Sequence, residues 1–255
     1  MTSNFIWYEL FTNDMEAAQK FYGHVVGWHT MDSGQTDKDY RILMAKDVGI
    51  GGLMAIPPDA AQQGMKPRWL GYISVPDVDK AVTAITTVGG LVQWPATNIP
   101  NVGRIARVSD PQGAEFYVMT PSGEGKSAAY AEGVPGHCSW NELHTSDGAA
   151  GLKFYSEQFG WTNTKNMDMG PMGTYHVFSV DSHEDIGGMM TMAPDCQSPA
   201  WTYYFCVDDI ETAKTRVIEA GGVVVMGPHA VPGGGWIIQA IDPQECKFAL
   251  VGPKL

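Results

Sequence analysis

The sequence has few basic residues and few cysteines, and each shortage excludes a class of protein. Lys and Arg together number 16 against 28 Asp and Glu, which gives a formal net charge of −12 in 255 residues. Nucleic-acid backbones and anionic membranes bind clustered Lys and Arg, so we expect neither as a partner. The four cysteines all lie in the second half and form no Cys-x-x-Cys pair. That distribution argues against a disulfide framework or a zinc knuckle.

Long apolar runs and a basic leader are also missing. No apolar stretch approaches the roughly 20 residues that a membrane-spanning helix needs. The opening residues MTSNFIWYE lack a basic region followed by an apolar block, so they do not read as a secretory signal. Hydrophobic residues make up 44% of the chain and charged residues 17%, as in ordinary globular proteins. We therefore expect a cytoplasmic protein, and its length suits two domains.

What the sequence does contain is an internal repeat. Residues 5–28 and 138–161 agree at 11 of 24 positions without a gap, and the agreements include a Glu, large aromatic residues, an Asp and a Gly. Further pairs follow in the same order, namely IGGLM at 50–54 with IGGMM at 186–190, and Asp-Pro-Gln at 110–112 and 242–244. Because repeats reveal architecture, we predict domains at residues 1–122 and 137–255, joined by a linker at 123–136.

Each domain is predicted to contain two β-α-β-β-β units. Residues 5–11 alternate as a strand does, and apolar residues at 17, 18, 21 and 22 then recur at helical spacing. Asp14 and Asp77 stand where helix caps are expected, and the Asp-Pro-Gln-Gly stretch at 110–113 is typical of a turn between strands. Four such units in one chain indicate an α+β fold.

This arrangement resembles the vicinal oxygen chelate superfamily, which contains glyoxalase I, the bleomycin-resistance proteins and the extradiol dioxygenases. The resemblance is carried by the Asp, Phe-Tyr and Gly-Trp of the repeat, by Ile-Gly-Gly-[Leu/Met]-Met and by Asp-Pro-Gln. Within the superfamily, the chain is similar to the two-domain, hydroxylase-like bacterial proteins grouped with a mycobacterial secreted antigen. The resemblance implies that two units form a cup-shaped antiparallel sheet, with helices outside and a pocket within.

The resemblance also implies where a metal would be held. Metal-using members place ligands near the start of a unit's first strand and near the end of its last, and the cation polarises vicinal oxygens of the substrate. In this chain those positions hold Trp7, Leu70, Tyr117, Trp140, Thr202 and Ala249. None of these is a usual ligand of a divalent cation, and Leu70 and Ala249 cannot be one, so we expect no metal cofactor of the usual kind.

Three polar residues are the candidate catalytic groups. Glu9 and Glu142 occupy matching places in the two repeats, and His144 is two residues beyond Glu142, so strand alternation puts both on one face. A carboxylate there could act as a general base or accept a hydrogen bond from a ligand. The structural alternative for Glu9 is an ion pair with Arg41, Arg104 or Arg107, and for Glu142 a hydrogen-bonded pair with His144.

Five aromatic residues are the candidate ligand-binding groups. They share predicted inward-facing positions on first or last strands: Trp7, Tyr72, Tyr117, Trp140 and Tyr204. Phenol and indole groups suit flat or hydroxylated ligands. The alternative is that the tyrosines are core residues whose hydroxyls are satisfied within the protein.

These observations lead to one functional hypothesis and two alternatives. The hypothesis is a small-molecule-binding protein, monomeric or homodimeric, that takes an oxygenated or aromatic ligand without the usual metal site. The first alternative is a lyase or dioxygenase that uses a divalent metal ion at a non-standard site around Glu142 and His144. The second is a protein whose pockets are filled by its own side chains and which acts through its surface.

Overall fold

A computed structural model describes residues 3–35, 38–123, 125–181, 184–194, 196 and 198–255. The first half contains β1 (Phe5–Thr12), α1 (Met15–Val26), β2 (His29–Asp32), β3 (Tyr40–Ala45), β4 (Val48–Ala55), α2 (Pro58–Gln62), β5 (Arg68–Ser74), α3 (Val78–Thr87), β6 (Leu91–Ile99), β7 (Gly103–Ser109) and β8 (Glu115–Pro121). The second half contains β9 (Cys138–Thr145), α4 (Gly148–Phe159), β10 (Thr162–Asp168), β11 (Thr174–Ser179), β12 (Asp185–Thr191), β13 (Ala200–Cys206), α5 (Ile210–Glu219), β14 (Val223–Ala230), β15 (Trp236–Ile241) and β16 (Lys247–Gly252).

The predicted α+β fold of four β-α-β-β-β units is confirmed. The strands form two sheets of eight, in the orders β2-β3-β4-β1-β5-β8-β7-β6 and β10-β11-β12-β9-β13-β16-β15-β14. Pairing is antiparallel from β2 to β4, as expected, but β1 joins β4 in parallel. The sheets are therefore mixed rather than wholly antiparallel, because the helix between β1 and β2 returns the chain to run alongside its first strand.

Helix caps account for the Asp residues that recur along the sequence. The carboxylates of Asp14, Asp77, Asp147 and Asp209 each accept a hydrogen bond from the backbone N–H three residues further on, at the starts of α1, α3, α4 and α5. Such bonds satisfy donors that have no partner inside the helix. At the other end, Gly27 and Gly160 adopt left-handed backbone angles, with φ of 89° and 75°, which glycine adopts without steric cost.

Residue contacts divide the chain into two compact units. The first comprises Met1–Ile6, Leu70–Lys126 and Asn141–Trp201, and the second comprises Trp7–Trp69, Ser127–Trp140 and Thr202–Leu255. Each unit thus takes about half of each sequence repeat. Within the described residues, no helix is long and apolar enough to cross a membrane.

A buried Trp-Tyr-Asp chain stabilises the first unit. Trp201 Nε1 donates to the Tyr155 hydroxyl at 3.1 Å, and that hydroxyl donates to Asp110 at 3.2 Å. The other carboxylate oxygen of Asp110 accepts from three successive backbone N–H groups of the Asp-Pro-Gln turn. Burial nevertheless raises the pKa of Asp110 above its usual value, with these hydrogen bonds opposing the rise.

The second unit contains the same chain of residues. Trp69 Nε1 donates to the Tyr22 hydroxyl at 3.2 Å, and Tyr22 donates to Asp242 at 3.1 Å. Burial raises the pKa of Tyr22 well above its ordinary value, so its hydroxyl keeps the proton that it donates. The Phe-Tyr and Asp-Pro-Gln motifs of the sequence are therefore two ends of one structural connection.

The glutamine of each Asp-Pro-Gln turn binds the start of a helix that belongs to the other repeat. In the first unit, Gln112 accepts from the backbone N–H of Asp147 at 2.6 Å and donates to its carbonyl at 3.0 Å. In the second unit, Gln244 makes the same two bonds to Asp14, at 2.7 and 2.9 Å. We call these paired contacts the glutamine clamps.

Candidate functional site

Strand β9 presents Glu142 and His144 on the face away from its helix. A side chain added at Gly151 of α4 would meet Thr145 and Leu143. Helix α4 therefore covers the face of β9 that carries Leu143 and Thr145. Alternation along the strand then puts Glu142 and His144 on the opposite face. The helix that follows β9 thus determines which way the candidate catalytic residues point.

Glu142 is buried, and it is joined to two polar side chains. The Tyr175 hydroxyl donates to Oε2 of Glu142 at 2.9 Å, and Nδ1 of His144 lies 3.7 Å from Oε1. The Glu142 side chain is 11% exposed and that of His144 is 31% exposed. We name this group the Glu142 cluster: a fixed carboxylate beside an imidazole that reaches solvent. A ligand at the imidazole could exchange a proton with a buried acceptor.

The second glycine of the IGGMM motif makes room for Tyr175. An added Cβ at Gly188 would lie 2.1–2.3 Å from the Tyr175 ring and hydroxyl. Gly188 stands opposite Glu142, and Met190 stands opposite His144, in the neighbouring strand β12. The repeated glycine Gly188 thus leaves room for Tyr175 of β11 to extend over β12 and reach Glu142 of β9. Tyr175 was not predicted, because its contact with Glu142 depends on the register of three strands rather than on spacing along the sequence.

The first repeat keeps the glutamate and tyrosine but not the imidazole. Glu9 is 3% exposed and stands opposite Gly52, where an added Cβ would lie 2.0 Å from the Tyr40 hydroxyl. That hydroxyl accepts from Trp7 Nε1 at 2.9 Å. Phe11 occupies the place of His144 and is buried. The two repeats therefore share a scaffold, and the second repeat carries an imidazole where the first carries Phe11.

Two of the arginines considered as partners of Glu9 are engaged by other residues. Arg41 bridges Glu16 at 2.6 Å and Asp39 at 3.0 Å. Arg104 bridges Asp79 at 2.7 Å. These pairs lie at the surface, where an ion pair contributes about 0–1 kcal/mol.

A row of four side chains crosses strands β6, β7, β8 and β5 in the first unit. Trp94 stands opposite Arg107, Arg107 opposite Tyr117, and Tyr117 opposite Tyr72. The rings of Tyr72 and Tyr117 are stacked, with centroids 4.2 Å apart and planes 8° from parallel. Arg107 Nε is 3.5 Å from Glu115. The two predicted tyrosines are thus brought together, and they extend into a cationic and aromatic surface that the sequence did not reveal.

The matching row in the second unit has different chemistry. Met226 stands opposite Gln239, Gln239 opposite Ala249, and Ala249 opposite Tyr204. Gln239 Nε2 donates to the Tyr204 hydroxyl at 2.8 Å. Tyr204 therefore has a hydrogen-bond partner within the protein, as expected if it is a core residue. Its position in its own sheet nevertheless corresponds to that of Tyr72 in the other sheet. Trp140, also predicted, lies half-buried in β9.

The residues at the superfamily's metal-ligand positions do not fit a divalent cation. Leu70 and Ala249 are buried apolar side chains, and Tyr117 is occupied in the stack with Tyr72. Indole, alkyl and stacked phenol groups are not the nitrogen and carboxylate donors that such cations select. Within the described ranges, no three His, Cys, Asp or Glu side chains are grouped closely enough to hold a metal ion.

A surface depression of about 540 Å³ lies beside α1, away from the predicted site residues. Its lining includes Glu16, Gln19, Lys20, Trp28 and His29. The depression is open to solvent. Beside it, Arg41 donates a hydrogen bond to Gln19 and forms an ion pair with Glu16.

Comparison with known proteins identifies the family. Residues 4–118 and 135–250 each match the model of the Glyoxalase/Bleomycin resistance protein/Dioxygenase superfamily. The chain belongs to this superfamily. The resemblance drawn from the repeated motifs is thereby confirmed.

Similar proteins extend over nearly the whole chain. CFP32 of Mycobacterium tuberculosis (strain CDC 1551 / Oshkosh), named as a proposed glyoxylase, is 30% identical over 249 residues, which are 97% of this chain and 94% of that protein. The anthracycline biosynthesis protein DnrV of Streptomyces peucetius is 26% identical over 269 residues, covering 96% of this chain and 91% of that protein.

Solved structures share the fold of this superfamily member at low sequence identity. The Mn(II)-bound glyoxalase from Novosphingobium aromaticivorans gives a TM-score of 0.68 at 16% identity, covering 98% of this chain and 82% of that one. The 2,3-dioxygenase LapB from Pseudomonas sp. KL28 gives 0.66 at 16% identity, covering 100% and 94%. At such identities the likeness establishes the fold and not the chemistry.

Proposed function

We propose that this protein binds a small oxygenated aromatic molecule at the Glu142 cluster, without the metal site usual in its superfamily. The observation that carries the proposal is the buried carboxylate of Glu142, held by Tyr175 at 2.9 Å and flanked by the half-exposed His144. An acceptor kept in place by a neighbouring hydroxyl is pre-organised for a ligand that presents O–H groups. Met190, opposite His144, adds an adaptable apolar contact.

The relatives support the chemical class of this ligand. DnrV is named for anthracycline biosynthesis, and it aligns with 96% of this chain. Polyhydroxylated fused rings are therefore the first compounds to test.

Two roles for Glu142 are compatible with ligand binding. The carboxylate can accept a hydrogen bond from a ligand hydroxyl, or it can take a proton from the ligand while His144 exchanges it with solvent. The first role makes a binding protein and the second a proton-transfer enzyme. Replacing Glu142 by Gln keeps an acceptor oxygen but removes the carboxylate, so it should weaken the hydrogen bond to the ligand and abolish the proton transfer.

The test is calorimetric titration of EDTA-treated protein with catechol and 1,8-dihydroxyanthraquinone. Glu142→Gln should weaken binding about 10-fold or more, because a hydrogen bond to a charged acceptor contributes roughly 1.5–3 kcal/mol. Glu157→Gln is the matched control, since it removes the same charge from an exposed residue of the same unit that is paired with Lys153. Glu9→Gln then reports whether the first repeat contributes.

Two results would reject this proposal. Binding that appears only after Mn²⁺, Fe²⁺ or Zn²⁺ is added, and is lost in both Glu142→Gln and His144→Ala, would favour a metal-dependent lyase or dioxygenase at the same cluster. Equal affinities of wild type and Glu142→Gln, or no binding of either compound, would favour a protein that acts through its surface.

A further inference from the structure

The two corresponding rows of side chains have diverged more than the strands that carry them. Three of the four positions differ: Trp94, Arg107 and Tyr117 in the first unit correspond to Met226, Gln239 and Ala249 in the second. The fourth position is tyrosine in both rows, Tyr72 and Tyr204. The strand register at these positions corresponds in the two sheets, so the differences are not required by strand pairing. They indicate two surfaces with different ligand preferences.

The first row combines a cation with exposed and buried aromatic groups. Trp94 is 36% exposed, which is high for a tryptophan on a sheet, whereas Tyr117 is 6% exposed and supported by its stacked neighbour. Adjacent strands are about 4.8 Å apart, so the row spans roughly 14 Å across three strand gaps. A flat ring can rest on Trp94 while its substituent reaches the guanidinium of Arg107, which binds carboxylates through paired N–H donors.

Glu115 shapes what this surface can select. It lies 3.5 Å from Arg107 Nε, and the two side chains are 22% and 17% exposed. The ion pair offsets part of the charge of the guanidinium, so a small anion without a ring gains little there. Selection therefore depends on a ring and an anionic group in the same molecule.

We propose that the row Trp94, Arg107, Tyr117 and Tyr72 is a second ligand site, which binds flat aromatic carboxylates of the naphthoate type. It shares no residue with the Glu142 cluster, so the two proposals can be tested independently. The second row, in which Gln239 replaces the arginine, does not share this preference for an anion.

Titration calorimetry with three probes separates the contributions. The probes are 2-naphthoate, 2-naphthol, which lacks the carboxylate, and acetate, which lacks the ring. Wild type should bind 2-naphthoate at least 10-fold more tightly than either of the others. Arg107→Gln should lower the 2-naphthoate affinity about 10-fold or more, and Trp94→Met about 2- to 10-fold.

Arg104→Gln is the matched control. It makes the same substitution in the same strand, but Arg104 is bonded to Asp79 of α3. Arg107→Lys serves if Arg107→Gln does not fold, and it should keep part of the affinity because the charge remains. The proposal is overturned if 2-naphthoate does not bind, if it binds no better than 2-naphthol, or if Arg104→Gln weakens it as much as Arg107→Gln. Loss in Glu142→Gln but not in Arg107→Gln would also overturn it, because the ligand would then occupy the other site.

Discussion

The hydroxyl of Tyr155 offers a sharp test of how the first unit is stabilised. It accepts from Trp201 at 3.1 Å and donates to Asp110 at 3.2 Å, and Tyr155 is fully buried. Tyr155→Phe removes this one oxygen and leaves the aromatic ring, so packing against Trp161 and Phe116 should persist. The substitution therefore measures the hydrogen bonds and little else.

The expected loss follows from what the hydroxyl leaves behind. A hydrogen bond to a charged group contributes about 1.5–3 kcal/mol and one between neutral groups about 1 kcal/mol, so the loss should be roughly 2–4 kcal/mol at pH 7. For a chain of this size each kcal/mol lowers Tm by about 2–4 °C. Tyr22→Phe breaks the matching bonds to Trp69 and Asp242 in the second unit and should cost about as much.

The loss should also depend on pH, with a defined sign. Burial raises the pKa of Asp110 in the folded protein, and the bond from Tyr155 lowers it. Removing that bond raises the folded pKa further above the unfolded value of about 3.9. A raised folded pKa means that stability is lost as pH rises through the interval between the two values. The deficit of Tyr155→Phe should therefore be complete at pH 7 and smaller near pH 4.

Urea denaturation of wild type and Tyr155→Phe at pH 4 and pH 7 measures both effects. Circular dichroism and tryptophan fluorescence should be followed together, because a chain with two compact units need not unfold in one step. A loss below about 0.5 kcal/mol at pH 7 would refute the role assigned to the buried hydroxyl. A loss of equal size at both pH values would refute its coupling to Asp110.

Two further predictions concern the glycine motif and the thiols. Gly188→Ala places a methyl group against Tyr175, so it should reduce ligand affinity at the Glu142 cluster as much as Tyr175→Phe does. Gly123→Ala is the control, because an added Cβ at this loop position meets nothing within 4 Å, and it should leave calorimetric titrations unchanged. With a disulfide reagent at pH 8, the exposed Cys196 should react within minutes while Cys138 reacts only on unfolding, because burial raises the pKa of Cys138 to about 12; rapid loss of more than one thiol in the native protein would contradict this.

The repeat was sufficient to predict the four units and their helix starts, because local signals carry both. Strand alternation and an Asp before an apolar helical stretch are read within a few residues, and Asp14 and Asp77 do cap their helices. The parallel pairing of β1 with β4 could not be read in this way. It depends on where the chain returns after three further elements, which local periodicity does not encode.

The candidate site was predictable only along single strands. Glu142 and His144 share a face because they are two residues apart, and the structure places them together. Tyr175 reaches Glu142 from two strands away, over a glycine, and the sequence holds no signal for that distance. The row that joins Arg107 and Trp94 to the predicted tyrosines was missed for the same reason, since strand register sets it.

The glutamine clamps bear on how such a chain can change over time. Each clamp joins a turn in one repeat to a helix start in the other, and the exchange runs in both directions. A chain cut after its first repeat would lose Gln244, and the backbone of Asp14 at the start of α1 would lose both hydrogen bonds that this residue makes to it. A substitution at a helix start must therefore remain compatible with the turn of the other repeat. The sheet positions that hold Arg107 in one repeat and Gln239 in the other are not constrained in this way. The duplication therefore constrains the helix starts and the turns, and it allows corresponding positions on the two sheets to differ.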